Sequence, residues 1–156
     1  MKDSQNKAKQ YALKLLGYRG RSEKELKERL LKKGIPESLV VMTVDHLRRL
    51  GYIDDTALAE NLKREAIKKK LLSQAGAKKY LLNRGIPRDI VHGIFQQEEA
   101  ADRETAIQFV QKKMRALGDY PQETVRRRLY NQLLRRGYSS ETICAALKDK
   151  TINEED

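Results

Sequence analysis

The residues able to do acid–base, nucleophilic or metal chemistry are few and scattered. The two histidines, His46 and His92, do not recur at equivalent positions of the repeat described below, so each is predicted to be structural or on the surface. Asp54 and Asp55 are adjacent carboxylates at a predicted helix start. A carboxylate interacts favourably with the helix dipole there, so the pair is predicted to cap the helix rather than to bind a metal. Cys144 lies in an apolar stretch and is predicted to be a small packing residue.

Motifs typical of enzymes are absent from the sequence. It contains no phosphate-binding GxxxxGKS/T loop, no nucleophile elbow and no HExxH pair. We therefore predict that the protein is not an enzyme, with no catalytic residue, no metal site and no cofactor.

Basic residues are the one chemical type in excess. The chain has 156 residues with 33 Lys and Arg against 22 Asp and Glu, a net charge of +11. Residues 1–53 hold 13 of the basic and 6 of the acidic residues, or +7. Cations in the last turn of a helix suit its dipole and account for pairs such as Arg135–Arg136. The imbalance of the whole chain exceeds that explanation and predicts a polyanionic or acidic partner.

Composition sets the class of protein. Only 39% of residues are hydrophobic, Trp is absent and Phe occurs twice, so several small cores are more plausible than one thick core. A single cysteine cannot form an internal disulfide, and no stretch approaches the ~20 apolar residues that cross a bilayer. These features predict a cytoplasmic protein without a membrane segment.

Apolar spacing of three and four residues indicates helices throughout. Ser22 and Glu25 form a capping box at the start of the second helix, and Gly34 ends it. Pro36 opens the third helix, because its missing N–H would be unpaired there. After Gly51 the same pattern starts again, and a long helix is predicted to run towards Leu72.

An internal repeat is visible in residue identities. Residues 30–40 and 81–91 share six of eleven positions, and the glycines at 34, 85 and 137 are 51 and 52 residues apart. The sequence therefore predicts an all-α fold of three tandem three-helix repeats, 1–53, 54–100 and 101–150, followed by a flexible acidic tail, 151–156. Such an array should form an elongated, curved modular body.

Each helix pair across a marker glycine could also be a DNA-reading helix-turn-helix. The candidate reading helices, residues 38–43, 89–94 and 141–146, are apolar and poor in the Arg, Asn and Gln that contact base edges. Sequence-specific DNA recognition is therefore disfavoured.

Several of these segments resemble the signature of the RecX family of bacterial regulators. They are YRGRSEKEL at 18–26, LKKGI at 31–35 and LGYIDD at 50–55 with Ala59, and residues 82–86 and 134–138 resemble the later repeats of that family. The resemblance extends from about Ala8 to Lys148. It implies a monomeric regulator that lies in the groove of the RecA recombinase filament on DNA. It also implies suppression of the ATPase, strand-exchange and co-protease activities, and so modulation of homologous recombination and the SOS response.

The charge alone leaves a second hypothesis open, a sequence-independent DNA-binding protein without a recombinase partner. DNA contact under either hypothesis should be weak, indifferent to sequence and made with single or double strands. The residues predicted to contact the filament or DNA are the clustered basic ones: Arg19, Arg21, Lys24, Lys32, Lys33, Arg48, Arg49, Lys68, Lys69, Lys70, Arg84, Arg127, Arg128, Arg135 and Arg136.

Overall fold

The computed structural model describes residues 2–95 and 101–154, with side chains described as far as residue 148. Within these ranges the chain forms nine α-helices and no strand, which confirms the predicted all-α class. The helices are α1 (Lys2–Tyr18), α2 (Glu23–Lys32), α3 (Glu37–Arg49), α4 (Asp55–Arg64), α5 (Gln74–Asn83), α6 (Arg88–Ile94), α7 (Ala101–Leu117), α8 (Gln122–Arg135) and α9 (Ser140–Glu154).

The predicted helix boundaries are present where the sequence carries capping residues. Ser22 and Glu25 form the predicted capping box at α2, and the Asp54 carboxylate accepts the N–H of Ala57 at the start of α4. Gly85 and Gly137 follow α5 and α8 with φ of +83° and +93°, a conformation that side chains rarely adopt.

One helix departs from its predicted course. The sequence predicts a continuous helix towards Leu72, but α4 widens into a π-helical turn over Glu65–Lys69. Leu71 then has φ +53° and is buried. Its carbonyl accepts the Tyr138 hydroxyl at 2.8 Å, and this contact supports the unusual backbone there.

The chain divides into two compact units. The first comprises Met1–Leu62 and Leu81–Ile94, and the second comprises Lys63–Tyr80 and Phe95–Asp156. Each has its own apolar cluster, formed in the first unit by α1, α2 and α3 around Leu26, Leu30 and Val44. The second cluster includes Phe109, Leu129, Leu133 and Ile143.

The predicted repeat boundaries at 53/54 and 100/101 stay predictions. Residue 100 lies outside the described residues, as do residues 155 and 156 of the predicted tail. Residues 151–154 of that tail continue α9 as helix.

Substitution of Gly76 tests how closely α5 packs in the second unit. A Cβ at this position would lie 2.3 Å from the Arg136 carbonyl oxygen, so Gly76→Ala should lower the free energy of unfolding by about 1–3 kcal/mol. Gly93→Ala is the control, since a Cβ there meets nothing within 4 Å and alanine favours a helix. Urea denaturation should show the loss for Gly76→Ala alone, and equal midpoints for both variants would contradict the packing.

Candidate protein and nucleic-acid interface

Ser22 joins the start of α2 to the end of α5 within the first unit. Its side chain is fully buried. The hydroxyl oxygen accepts the N–H of Glu25 at 3.1 Å and donates its proton to the Arg84 carbonyl at 2.6 Å. The next backbone N–H, that of Glu23, is donated to the Asp55 carboxylate at 3.0 Å. We call this set of contacts among Ser22, Glu23, Glu25, Asp55 and Arg84 the first serine junction.

Glu25 neutralises part of the positive charge around this junction. Its carboxylate accepts the Ser22 N–H at 3.1 Å, Arg84 Nε at 3.1 Å and Arg19 at 3.2 Å. Burial alone would raise the pKa of Glu25, but the Ser22 N–H and the Arg84 guanidinium outweigh it, so the pKa is lowered. The carboxylate is therefore ionised and committed to the fold at neutral pH.

Ser73 makes an equivalent connection inside the second unit. It is also fully buried, and its oxygen accepts the N–H of Gly76 at 2.9 Å. Both the hydroxyl and the N–H of Ser73 are donated to the Arg136 carbonyl, at 3.2 and 3.1 Å. The N–H of Gln74 is donated to Asp102 at 2.8 Å. These groups form the second serine junction.

The two junctions place a glycine against each buried serine. A Cβ on Gly85 would lie 2.6 Å from Ser22 Oγ, and one on Gly137 would lie 2.6 Å from Ser73 Oγ. Glycine is required at both positions by close approach as well as by positive φ. Two of the three marker glycines of the sequence repeat, Gly85 and Gly137, are thus the contact points of the junctions.

Several predicted site residues are engaged in contacts within the protein. The Arg21 Nε donates to the Leu15 carbonyl at 3.2 Å, and Arg84 also donates to the Gly20 carbonyl at 3.1 Å. Arg48 pairs with Glu23 at 2.7 Å and with Asp45, which Arg49 also contacts.

Other predicted cations lie over aromatic rings. Lys33 Nζ is 5.2 Å from the ring centre of Tyr11, and Lys70 Nζ is 5.0 Å from that of Tyr80. The Arg128 guanidinium is 4.3 Å from the Tyr120 ring.

The remaining predicted residues are exposed. Within the part of the chain whose side chains are described, none of them makes an ion pair: Lys24, Lys32, Lys68, Lys69, Arg127 and Arg135.

The second unit has a cationic cluster around Phe109. The Arg136 guanidinium lies 4.4 Å and Lys113 Nζ 6.0 Å from the ring centre. Arg136 also donates to the Lys70 carbonyl at 3.3 Å. Burial lowers the pKa of Arg136, and the neighbouring Arg135 lowers it further. None of the described carboxylates forms an ion pair with Arg135, Arg136 or Lys113, so this cluster, which we call the Phe109 cluster, suits an anion.

The first unit has a groove of mixed charge, with a volume of about 570 Å³. Lys24 and Arg88 line it together with the carboxylates of Glu23 and Asp55. Burial raises the pKa of Asp55, and the neighbouring charges of Glu23 and Asp54 add to the rise. Lys27, Gly85 and the apolar residues Leu82, Ile86 and Pro87 complete the lining. A surface with both charges and apolar contacts suits a protein segment better than a phosphate backbone.

Sequence reasoning missed Ser73, Asp55 and Asp102 as junction residues. The available signal was the spacing, since Ser22 and Ser73 are 51 residues apart, as are Gly34 and Gly85. Ser73 lacks the glutamate that makes Ser22 recognisable as a capping box, because Gly76 occupies that position.

The prediction for Cys144 was wrong, since its side chain is exposed. Its neighbours Ile143, Ala146 and Leu147 take the buried positions of α9. His46 and His92 are both exposed.

The residues that the structure describes contain no group of three or more His, Cys, Asp or Glu side chains placed to hold a metal ion. No helix among them is both long enough and apolar enough to span a membrane.

Alanine substitutions of Arg84 and Arg19 separate structural from surface arginines. Arg84→Ala removes a partner of Glu25 whose side chain is only 17% exposed, so it should cost about 1.5–3 kcal/mol of unfolding free energy. Arg19→Ala removes a 46% exposed partner of the same carboxylate and should cost less than about 1 kcal/mol. Thermal denaturation of both variants checks the order, and the reverse order would contradict it.

The stability that Glu25 contributes depends on pH. Because folding lowers the pKa of Glu25, its contribution to stability is present above the unfolded value of about 4.3 and is lost as pH falls through the folded value. The stability difference between the wild type and Glu25→Gln should therefore be largest at neutral pH and shrink on acidification below about pH 4. Urea titrations from pH 7 to pH 3 measure it, and a difference that grows in acid would refute the assignment.

The chain is similar to known regulatory proteins along most of its length. The first three-helix domain of RecX matches residues 8–47, and the third matches residues 101–147. The regulatory protein RecX of Mycobacterium avium is 31% identical over 90% of this chain and 82% of its own length. That of Mycolicibacterium smegmatis is 29% identical over 96% of this chain and 82% of its own.

Solved structures share the fold. The crystal structure of RecX from Lactobacillus salivarius has a TM-score of 0.75 at 20% identity and covers 97% of this chain and 99% of its own. A second crystal structure of a regulatory protein RecX has a TM-score of 0.69 at 26% identity, covering 90% of this chain and 70% of its own. The match of two domains and the identity to the relatives show that this protein belongs to the RecX family of regulatory proteins.

Proposed function

We propose that this RecX-family protein regulates the RecA recombinase by binding its nucleoprotein filament on DNA. Binding inhibits the ATPase, strand-exchange and co-protease activities, and so modulates homologous recombination and the SOS response. The protein acts as a cytoplasmic monomer and as a non-catalytic regulator. Family membership supports the regulatory role, and the observation that carries the interaction is the set of exposed cations without acidic partners.

The two surfaces support contacts of different kinds. The mixed-charge groove of the first unit, with Lys24 and Arg88 beside Asp55, fits a segment of the recombinase. The Phe109 cluster and the exposed Lys68 and Lys69 of the second unit fit the phosphate backbone. Such contacts are weak one at a time and indifferent to sequence, and they add when made together on one filament.

Arg84 contributes to this function through the fold. Its guanidinium donates to Glu25 and to the Gly20 carbonyl within the first unit. The exposed residues proposed to make the external contacts are Lys24, Lys32, Lys68, Lys69, Arg127 and Arg135.

An ATPase assay tests the proposal. Added to cognate RecA on single-stranded DNA, the protein should inhibit ATP hydrolysis, and the inhibition should weaken as salt rises. Lys68→Glu with Lys69→Glu should raise the half-inhibitory concentration by about tenfold, or roughly 1.4 kcal/mol.

Lys7→Glu with Lys14→Glu is the matched control, because both lysines are exposed on α1 and the change in net charge is the same. Unchanged hydrolysis at saturating protein would refute the proposal. Binding to naked DNA at physiological salt, without any effect on RecA, would favour the sequence-independent DNA-binding alternative.

A further inference from the structure

We propose that the turn at Lys33 and Gly34 is a docking site for the N-terminus of a helix in a partner protein. The helix begins with a Ser or Thr N-cap and carries a glutamate three residues later. The proposal goes beyond the function above, since it names the structural feature that is recognised and does not depend on which protein presents it.

The protein itself uses this kind of turn twice to receive a serine-capped helix. The Arg84–Gly85 turn receives Ser22 at the start of α2, and the Arg136–Gly137 turn receives Ser73 at the start of α5. Residues 30–40, which include the Lys33 turn, share six of eleven positions with residues 81–91 around Arg84.

The Lys33 turn has the backbone shape of the other two. Gly34 has φ +94°, beside +83° for Gly85 and +93° for Gly137. The cation before the glycine also lies over a ring of the preceding helices: Lys33 Nζ is 5.2 Å from the Tyr11 ring, as the Arg136 guanidinium is 4.4 Å from Phe109. The turn is therefore formed in the conformation that the junctions use.

What differs is the surroundings of the turn. A Cβ on Gly34 would meet nothing within 4 Å, whereas Gly85 and Gly137 each face a serine oxygen at 2.6 Å. Lys33 is exposed, but its counterparts Arg84 and Arg136 are partly buried. The surface that carries a helix start at Gly85 and Gly137 is thus uncovered at Gly34. Gly51, with φ +83°, is also uncovered, but Leu50 rather than a cation precedes it.

Charge and sequence identify the occupant. Lys32 and Lys33 are exposed and suit a glutamate, in the way that Arg84 pairs with Glu25 at 3.1 Å. In a second copy of this chain the helix with this start, α2, is already held by the Arg84 carbonyl through Ser22. The α8 of that copy starts after Pro121, which makes no side-chain cap, and the serine that caps α9, Ser139, is followed at the third position by Thr142.

A peptide derived from the chain provides the probe. It comprises residues 19–32, RGRSEKELKERLLK, held helical by a lactam bridge between Glu28 and Lys32, both of which are exposed. Titrated to millimolar concentration into the ¹⁵N-labelled full chain, it should shift the amide resonances of Gly34 and its neighbours. The matched peptide carries Ser22→Ala and Glu25→Ala, has its helicity verified by circular dichroism, and should bind at least about tenfold more weakly.

Substitutions in the protein make the assignment specific. Lys33→Glu should weaken binding of the first peptide by about two- to fivefold, whereas Lys79→Glu, an exposed lysine of α5, should not. The proposal is overturned if Gly34 does not shift, if the two peptides bind alike, or if the shifts appear at Gly85 alone. It is equally overturned if self-association of the protein shifts the Gly34 resonance in the absence of peptide. None of these results changes the expected outcome of the RecA ATPase assay, so the two proposals are tested separately.

Discussion

The structure depends on a buried serine hydroxyl that bonds in two directions. Ser22 caps α2 by accepting the N–H of Glu25, and it donates the same hydroxyl's proton to the carbonyl of Arg84 at the end of α5. A buried polar group left without a partner is costly, so a single oxygen that satisfies both a helix start and a helix end fixes their relative position. The approach is possible only because a glycine follows the arginine, and Ser73 and Arg136 repeat the arrangement in the second unit.

These junctions also change how the charge of +11 is understood. Part of the positive charge is internal, because arginines surround Glu25 and others pair with Asp45. Burial lowers the pKa of Arg21, and the neighbouring charges of Arg19 and Arg29 lower it further. Lys68 and Lys69 of the π-helical turn and the cations of the Phe109 cluster form no ion pair with a described carboxylate. Arginines that stabilise the fold can therefore be told apart from the cations that are available to a partner.

Much of this fold follows from local patterns in the sequence. Apolar periodicity and marker glycines predicted the helices and the repeat, and the Ser22 capping box is local enough to be recognised. The π-helical turn at Glu65–Lys69 was not predictable from local sequence. The unusual backbone that follows it at Leu71 is supported by a hydrogen bond from the Tyr138 hydroxyl, 67 residues later. The role of Arg84 was not predictable for the same reason: its ion-pair partner, Glu25, is distant in the sequence, so the arginine was interpreted as a surface cation. Charge indicated a polyanionic partner, but it could not tell which cations were already used.

The junction hydrogen bond itself is best tested by native-state hydrogen exchange on Ser22→Ala and Ser73→Ala. Both variants lose a helix cap, worth about 1 kcal/mol. Ser22→Ala also loses the shorter bond, 2.6 Å to the Arg84 carbonyl, whereas in Ser73→Ala the Arg136 carbonyl keeps the backbone N–H of residue 73. The account predicts that the opening free energy of α2 amides falls by about 2–4 kcal/mol in Ser22→Ala, and that α5 amides lose about half as much in Ser73→Ala. Equal losses, or unchanged exchange in Ser22→Ala, would contradict it.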